Sequence, residues 1–556
     1  MSYNNSKRSI FLPLLMGLTL ATGVLIGKFF PADKSAPMST GFRLRNDKLN
    51  TILNIIESNY VDSVNRNELV ESAIPAILKK LDPHSVYIPA KDLARANEPL
   101  QGNFDGIGIS FNMYTDTILV ISTIPGGPSE KVGLLAGDKI IYVNDSLVAG
   151  KNISEQKIMS MLKGPRGTTV RVKVQRKGSE DLMPFEIIRD KIPMYSIDVS
   201  YMVDDNIGYM RINNFAVTTF DEFMKNLREL KVDGMKSLIV DLRGNSGGIM
   251  EASIQIANQF LSEDQLIVYT RGRRHPRSEA RATGKGDFET GDLVILIDEW
   301  SASASEILAG AIQDNDRGTI IGRRSFGKGL VQEPVSFADG SGMRLTIARY
   351  YTPTGRSIQR SYANGFDEYY QDLIERSTRN ELKSDSLHLS DTVKFTTPGG
   401  KVVYGGGGIT PDVFVPVDTN GMSQYFVSAR PLIYRFALKY SDINRDQLKK
   451  FTTAQDLKEY LDRQSLLPQF IKYASANGVK EDREGLRASG DVIAIQLEAY
   501  IARNILDNKG FYPIWENIDT TLKYAIDYLR NNPTGAKPPV KGPITLNQRI
   551  TRHQGF

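Results

Sequence analysis

Four short apolar runs that alternate with helical segments constrain the fold of this sequence more than any other feature. The predicted strands are IGYMRI (207–212), SLIVDL (237–242), DLVILID (292–298) and GTIIG (318–322). The predicted helices of the same region cover 218–230, 249–261 and 303–313. Alternation at this spacing is typical of βα units around a largely parallel sheet. The sequence therefore predicts an α/β core over about residues 190 to 418.

A chain of 556 residues is longer than one hydrophobic core usually supports, so we expect three or four domains. A small β-rich domain with two helices precedes the core, and helical, charged sequence follows it. Inside the core, the polar stretch 362–397 is interpreted as an insertion or a long surface excursion. The predicted segments are a signal anchor (1–30), an N-terminal helical segment (31–98), the small domain (99–178), the core (179–420) and a C-terminal helical extension (421–556).

The first 30 residues have the pattern of a membrane-targeting segment. Lys7 and Arg8 precede an apolar run that carries no charge through Gly27. A run of roughly 18 residues suits a signal peptide or a short transmembrane helix, and no A-x-A cleavage site follows closely. We therefore expect an uncleaved signal anchor, with its basic end on the cytoplasmic side and the remaining chain beyond the membrane. The sequence leaves its cleavage open.

Composition excludes several classes of site. The chain has no cysteine, which removes disulfides, thiolate metal sites and cysteine nucleophiles. Its four histidines are scattered, and none has the H-E-x-x-H spacing of a zinc enzyme. The net charge is only +5, from 69 basic and 64 acidic residues, and no basic stripe is interleaved with aromatic residues. We expect no bound metal and no nucleic-acid partner.

The stretch DLRGNSGG (241–248) follows the second predicted strand, fits the pattern G-x-S-x-G and offers Ser246 as a nucleophile. A serine in that role needs a histidine base. His275 and His388 follow it in polar, charged sequence, and His84 precedes it in the helical segment. An esterase that uses Ser246 and a histidine is therefore a disfavoured alternative.

A second serine-rich segment, IDEWSASASEILAGAIQDN (297–315), lies where a strand ends and a helix begins. Free N–H groups and the helix dipole at that point can stabilise an oxyanion beside an attacking serine, although on the pattern alone an N-cap is the better explanation. Lys328, between two glycines of FGKG, favours the catalytic interpretation. A desolvated lysine with a lowered pKa can take the serine proton, and Gln332 could orient its amine.

These segments resemble the C-terminal processing peptidases, also called tail-specific proteases, a Ser–Lys family of serine endopeptidases (peptidase family S41). SASASEILAGAIQD (301–314) and SFGKGLVQ (325–332) resemble the catalytic blocks of the family, and DLRGNSGG its D-L-R-x-N-x-G-G block. Shorter matches are LDPHSVYIP (81–89), RYYTPTGRSIQ (349–359) and GGGGITPDV (405–413). The resemblance covers about residues 45 to 420 and implies a crotonase/ClpP-like α/β core.

The resemblance implies specific catalytic roles. The nucleophile would be Ser303, the general base Lys328 and the residue that orients the lysine Gln332. The neighbouring serines, Ser301 and Ser305, would cap or pack the helix start. No metal and no organic cofactor is implied.

The oxyanion hole of the family would combine the N–H of Ala304 with a glycine N–H of the GNSGG turn. The sequence does not decide between Gly247 and Gly248. The family usually has proline where this chain has Ser246, and no role is attached to that side chain. The residues expected to fix the turn through hydrogen bonds are Asp241, Arg243 and Asn245.

The small domain resembles a PDZ domain. Its GIGI segment (Gly106, Ile107, Gly108 and Ile109) is similar to the loop that binds a terminal carboxylate, although such a segment can also be an ordinary turn between strands. The neighbouring sequence GGPSEKVGLLAGDKIIYVND (126–145) supports the PDZ interpretation.

The resemblance thus implies a serine endopeptidase that recognises nonpolar C-terminal tails of periplasmic or secreted polypeptides. Together with the N-terminal apolar run, this predicts an enzyme of the bacterial cell envelope that is anchored in the inner membrane with its catalytic domain in the periplasm, or is secreted to the periplasm if the signal is cleaved. The alternative is a non-catalytic PDZ scaffold on a protease-like core. The presence of all three catalytic residue types argues against it. For the C-terminal extension we consider homo-oligomerisation or adaptor binding.

Overall fold

The computed structural model describes residues 48–532 except 115, 380, 384–392 and 420. The described residues fall into two compact units, which divide between Ala73 and Ile74. The predicted signal anchor (1–30) and His388 lie outside the described residues. Within the described ranges, no helix is both long and apolar enough to cross a membrane.

Fifteen helices and 21 strands are described. The helices are α1 (Lys48–Asn59), α2 (Arg66–Leu78), α3 (Ala90–Gln101), α4 (Pro128–Lys131), α5 (Glu155–Leu162), α6 (Thr219–Val232), α7 (Met250–Ala257), α8 (Ala304–Asp314), α9 (Phe366–Thr378), α10 (Gln424–Ile443), α11 (Arg445–Leu448), α12 (Ala454–Asp462), α13 (Leu466–Ala476), α14 (Arg483–Trp515) and α15 (Thr520–Asn531). The strands are β1 (Val86–Ile88), β2 (Asn103–Gly106), β3 (Ile109–Tyr114), β4 (Thr117–Thr123), β5 (Lys139–Val143), β6 (Ser146–Leu147), β7 (Thr169–Gln175), β8 (Met183–Ile188), β9 (Asp190–Pro193), β10 (Ile197–Asp204), β11 (Ile207–Ile212), β12 (Ser237–Asp241), β13 (Leu266–Arg271), β14 (Ser278–Arg281), β15 (Asp292–Ile297), β16 (Thr319–Gly322), β17 (Leu330–Ser336), β18 (Gly342–Tyr351), β19 (Lys394–Thr396), β20 (Val402–Tyr404) and β21 (Val413–Phe414).

The central sheet has the order β10-β11-β12-β15-β16-β21 and is parallel from β11 onward. The four strands predicted from the sequence are β11, β12, β15 and β16, and each lies within one residue of its predicted bounds. Helices α6, α7 and α8 contribute buried apolar residues to the core on one face of this sheet. The predicted α/β core is confirmed.

A second sheet, which is antiparallel, contains β1, β13, β14, β17 and β18. Its long strand β18 pairs with β1, β13 and β17. Strand β1 follows the LDPHS turn, and β17 follows the FGKG loop. These pairings place the turn that begins at Leu81 near the loop that carries Lys328.

The small domain is a sheet of order β3-β4-β5-β7-β8, with β6 paired to β5 and helix α5 packed on the core. The GIGI segment is not one continuous strand, because Gly106 ends β2 and β3 begins only at Ile109. Strand β2 pairs with β9, and Gly108 has a φ of +72°, a conformation that only glycine adopts readily. The break takes the chain from the two-stranded sheet of β2 and β9 into the six-stranded sheet that begins with β3.

The C-terminal helices form a core of their own and contact both neighbouring domains. Leu438 of α10 packs against Leu119 and Ile121 of the small domain. The last helix, α15, buries Leu522 and Ile526 against the face of the central sheet opposite α8.

The polar stretch 362–397 is only partly a surface excursion. It contains α9, whose Arg376 is 1% exposed and donates to the carbonyl oxygen of Ser325 at 2.9 Å. This helix therefore supports the loop that carries Lys328. In the first unit, α1 buries Leu53, and Arg66 bonds to Asn54 at 2.7 Å.

Candidate active site

The turn after β12 and the serine-rich loop after β15 lie side by side, because parallel neighbouring strands end at the same edge of a sheet. The Ala302 amide donates to the carbonyl of Asn245 at 3.0 Å, and the Ser305 hydroxyl donates to the same carbonyl at 2.9 Å. Ser301 donates to the carbonyl of Leu242 at 2.8 Å. Both serines are buried and hold the two loops together.

Ser303 lies immediately before the first residue of α8 and has φ +55° and ψ −113°. This backbone conformation is sparsely populated by residues other than glycine and costs about 1–3 kcal/mol, so it persists only where the surroundings impose it. Such strain concentrates at functional sites and holds a serine at a sharp strand-to-helix turn. The amide of Ala304, the first helical residue, has no acceptor in the part of the chain that the structure describes.

The Lys328 amine is half-buried and donates to Oε1 of Gln332 at 3.0 Å. Burial lowers the pKa of Lys328 below its usual value, and the nearby Arg344 lowers it further. Gln332 is held in turn by His84, whose carbonyl oxygen accepts from its Nε2. A desolvated amine with a fixed hydrogen-bond acceptor is suited to act as a neutral base.

Glu306 links the serine and the lysine. Its Oε2 accepts from the amides of both Ser303 and Lys328 at 2.9 Å, and its Oε1 accepts from the amide of Gly327 at 2.7 Å and the hydroxyl of Ser325 at 2.5 Å. The residue is 1% exposed, and burial raises the pKa of its carboxyl to about 7 despite these four donors. One carboxyl group thus sets the spacing of the two loops.

Tyr350 of β18 adds a second link between the same two residues. Its hydroxyl donates to the carbonyl of Ser303 at 3.1 Å and also lies within hydrogen-bond distance of the carbonyl of Lys328. The ring is 1% exposed, so these contacts are shielded from water. Neither Glu306 nor Tyr350 is among the residues singled out from the sequence. The spacing Ser303-x-x-Glu306 is that of a capping box and is the signal that points to Glu306.

The LDPHS turn supports the lysine from the other side. Oδ1 of Asp82 accepts from the amides of His84 and Ser85, each at 2.8 Å, which fixes the His84 carbonyl that Gln332 uses. Burial, with the charge of Lys328, lowers the pKa of the His84 ring to about 4. Its Nε2 lies 2.9 Å from the hydroxyl of Tyr369, so the imidazole is a neutral structural group.

The two candidate glycines of the turn have different surroundings. The Gly247 amide donates to the side chain of Asn245 at 2.8 Å. The Gly248 amide has no acceptor among the described residues. A β-carbon at Gly247 would lie 2.7 Å from Cβ of Ser303 and 2.9 Å from the amide of Ala304, so this turn lies directly against the start of α8.

The structure does not support the histidine-based alternative. Ser246 is exposed, and no described histidine bonds to it. His275 is exposed on the turn between β13 and β14. No cluster of metal-ligating residues occurs within the ranges described.

The GIGI segment has free amides at a sheet edge. Neither Ile107 nor Gly108 donates its N–H to an acceptor in the described chain, whereas their carbonyls accept from Ser129 and Ile124 at 3.0 Å each. Strand β3, which starts at Ile109, is an edge strand of its sheet. Free amides beside an open strand edge can bind a carboxylate and an extended peptide.

Comparison with known proteins assigns families to these regions. Peptidase family S41 matches residues 206–366, and the PDZ domain matches residues 106–184. An activating protease CtpB N-terminal domain matches residues 32–92, and a family of unknown function matches residues 425–507.

The curated relatives carry one activity in their names. A carboxy-terminal-processing protease of Bartonella bacilliformis is 36% identical over 309 residues, which are 55% of this chain and 70% of the relative. Carboxy-terminal processing protease CtpB of Bacillus subtilis is 33% identical over 319 residues, 56% of this chain and 65% of the relative. A solved structure of a photosystem II D1 C-terminal processing protease is 29% identical in sequence. The matched region is 55% of this chain and 83% of that protease, with a TM-score of 0.32. A TM-score of this size carries no structural argument, so the assignment rests on sequence.

Proposed function

The chain belongs to the carboxy-terminal processing proteases of peptidase family S41, and from this premise we propose that it cleaves polypeptides with a Ser303–Lys328–Gln332 centre after its PDZ domain has bound their C-terminal tails. The observation that carries the proposal is the single Glu306 oxygen that accepts from the amides of both Ser303 and Lys328. It supports a strained serine and a buried amine as parts of one site.

In the acylation step, the hydroxyl oxygen of Ser303 attacks the carbonyl carbon of the scissile peptide bond while neutral Lys328 takes its proton. The oxyanion of the tetrahedral intermediate is stabilised by the amides of Ala304 and Gly248. We assign Gly248 rather than Gly247 to this role, because the Gly247 amide is already bonded to Asn245. Lys328 then gives the proton to the leaving amine nitrogen, the C–N bond breaks, and an acyl-enzyme remains.

In the deacylation step, water attacks the ester and Lys328 takes its proton. The ester C–O bond breaks and the proton returns to Ser303, which restores the starting state. Gln332 accepts from the amine of Lys328 without contributing a charge, so it orients the lysine and leaves its neutral form accessible.

Substrate binding rests on the PDZ domain. The free amides of Ile107 and Gly108 bind the terminal carboxylate, with Gly106 and Ile109 shaping the loop, and the tail adds a strand to the open edge of β3. Partly buried apolar side chains on β3 (Ile109, Phe111 and Met113) favour a nonpolar tail.

We extend the proposal to location and boundaries. The apolar segment within residues 1–30 anchors the enzyme in the inner membrane, and the catalytic domain acts on periplasmic or secreted polypeptides. The five segments keep the boundaries given above. Two measurements test this. Alkaline extraction of membranes tests the anchor, and release of the enzyme by alkali would contradict it. Protease digestion of intact cells and of spheroplasts tests on which side of the membrane the catalytic domain lies.

A variant series tests the catalytic proposal. With an internally quenched peptide that ends in a nonpolar tail, Ser303→Ala and Lys328→Ala each reduce turnover to background, whereas Ser246→Ala retains it. Amidation of the peptide's C-terminus raises KM without changing kcat, because only the carboxylate contact is lost. Turnover by Ser303→Ala at the wild-type rate would refute the proposed centre and point to another nucleophile, whereas absence of turnover in the wild type would favour the non-catalytic scaffold.

A further inference from the structure

Arg243, in the turn that carries the oxyanion glycines, is held by a carboxylate 276 residues further along the chain. Its Nη1 donates to Oδ1 of Asp519 at 2.8 Å, and its Nη2 donates to Oδ2 at 2.7 Å. Both side chains are 14% exposed. A two-point contact of this kind fixes the plane of the guanidinium as well as its position.

Charge balance explains why the turn needs this second carboxylate. Asp241 is fully buried and is shared by Arg243, Arg211 and the hydroxyl of Tyr209. Burial alone would raise the pKa of Asp241, but the two guanidiniums outweigh it and hold the pKa well below its usual range. Two cations therefore share one anion at this position, and Asp519 supplies the missing negative charge. Leaving a buried charge without a partner is strongly destabilising.

The contact acts on the backbone that faces the reaction. Arg243 directly precedes the glycine turn, and its carbonyl accepts from Nη2 of Arg211 at 2.8 Å. The next amide, that of Gly244, donates to Asp298 at 2.9 Å. Oxyanion donors stabilise a transition state only when they are held at hydrogen-bond distance from the developing charge.

Asp519 itself is rigidly mounted. It is the N-cap of α15, where its Oδ1 accepts from the amide of Leu522 at 3.0 Å, and Leu522 is buried against the central sheet. Asp519 lies outside the peptidase match (206–366) and outside the match to a family of unknown function (425–507).

We propose that Asp519 is a positioning residue of the active site, supplied by the C-terminal extension, which holds Arg243 and through it the oxyanion turn. The inference rests on the proposed function of that turn. It makes the extension part of the catalytic unit, since α15 and the Arg243 turn are joined by a largely buried ion pair.

The test is Asp519→Asn in the full chain. Asparagine is an equally good N-cap, so α15 keeps its start while the charge of the pair is lost. We expect kcat to fall about 10-fold, less than the roughly 100-fold or greater effect of removing an oxyanion donor outright, with KM unchanged within about twofold. A peptide aldehyde that places its oxygen in the oxyanion hole loses affinity by the same factor, while substrate binding by Asp519→Asn in a Ser303→Ala background is unchanged.

Asp204→Asn is the matched control. It removes the other ion pair between α15 and the sheet, Arg530 with Asp204 at 2.6 Å, which does not touch the turn. We expect it to keep wild-type kcat. Equal kcat in Asp519→Asn and Asp204→Asn would overturn the proposal. Asp519→Ser, which also retains an N-cap, is the second variant. Loss of cooperative unfolding in both Asp519 variants would also overturn the proposal, because Asp519 would then have a purely structural role. Failure of the proposed function is distinguishable, because only then does Ser303→Ala itself remain active.

Discussion

Gly247→Ala perturbs the contact between the glycine turn and Ser303, the proposed nucleophile, directly. The added methyl carbon would lie 2.7 Å from Cβ of Ser303 and 2.7 Å from the carbonyl oxygen of Ala302. Carbon atoms pack at about 3.5–4.0 Å, so the two loops must separate by roughly 1 Å. The φ of +98° at Gly247 adds a backbone cost of about 1–3 kcal/mol for any other residue.

The expected effect is large because the displaced atoms are those that react in the proposed mechanism. A misplacement of about 1 Å at a catalytic group costs on the order of 100-fold in rate. We therefore expect kcat for a quenched tail peptide to fall about 100-fold, with a much smaller change in KM, because the atoms next to the added methyl belong to Ala302, Ser303 and Ala304 and not to the proposed tail-binding loop. Fluorophosphonate labelling of the serine should slow in parallel.

Gly244→Ala is the matched control within the same turn. Its φ of +74° imposes comparable backbone strain, but its β-carbon would have only the end of the Arg211 side chain nearby, at 3.7 Å. We expect this variant to lose stability and to keep most of its activity per folded molecule. If the two variants lose activity equally, or if Gly247→Ala turns over normally, the assignment of the turn to the reaction centre is wrong.

Four further outcomes follow from the same geometry. Because burial lowers the pKa of Lys328, log kcat/KM should rise with pH up to a midpoint below 10.5, the usual pKa of lysine. Lys328→Arg should be inactive at every pH. An unchanged pH profile in that variant would contradict the role of Lys328 as the general base. The pKa of Glu306 rises in the folded state from 4.5 to about 7, so the folded state binds the proton more tightly and stability falls as pH rises across this window, by about 3 kcal/mol; denaturant unfolding of Glu306→Gln between pH 4.5 and 7 should lack that slope. Gln332→Ala should lower kcat about 10-fold, within the range of proton-transfer catalysis, and Gln332→Glu should shift the pH midpoint upward by adding a negative charge beside the amine; an unshifted midpoint would count against this contact. Leu438→Ala should cost about 2–5 kcal/mol locally and expose the PDZ domain to limited proteolysis, while resistance equal to wild type would show that the extension does not hold it.

The parts of this molecule that depend on local sequence were predictable. The strands β11, β12, β15 and β16 are short apolar runs between helices, and such runs in an alternating pattern have few other folds available. Ser303 and Lys328 belong to blocks whose residue types restrict the chemistry, and the structure brings their backbones to one carboxylate.

The parts that depend on distant partners were not predictable. The contact of Arg243 with Asp519 spans 276 residues, and nothing near either residue indicates the other. The choice between Gly247 and Gly248 depends on the direction of the Asn245 side chain, which sequence does not specify. The break at Gly108 was not predictable because its positive φ is set by the junction between two sheets and not by a local turn signal.

The most direct test of the central claim is to map the adduct of a fluorophosphonate probe by peptide mass spectrometry in the wild-type enzyme and in Lys328→Ala. The structure predicts a single adduct on Ser303 in the wild type and loss of that adduct in Lys328→Ala, since the hydroxyl then has no base. An adduct on Ser246, or labelling of Ser303 at the same rate without the lysine, would contradict the Ser–Lys mechanism.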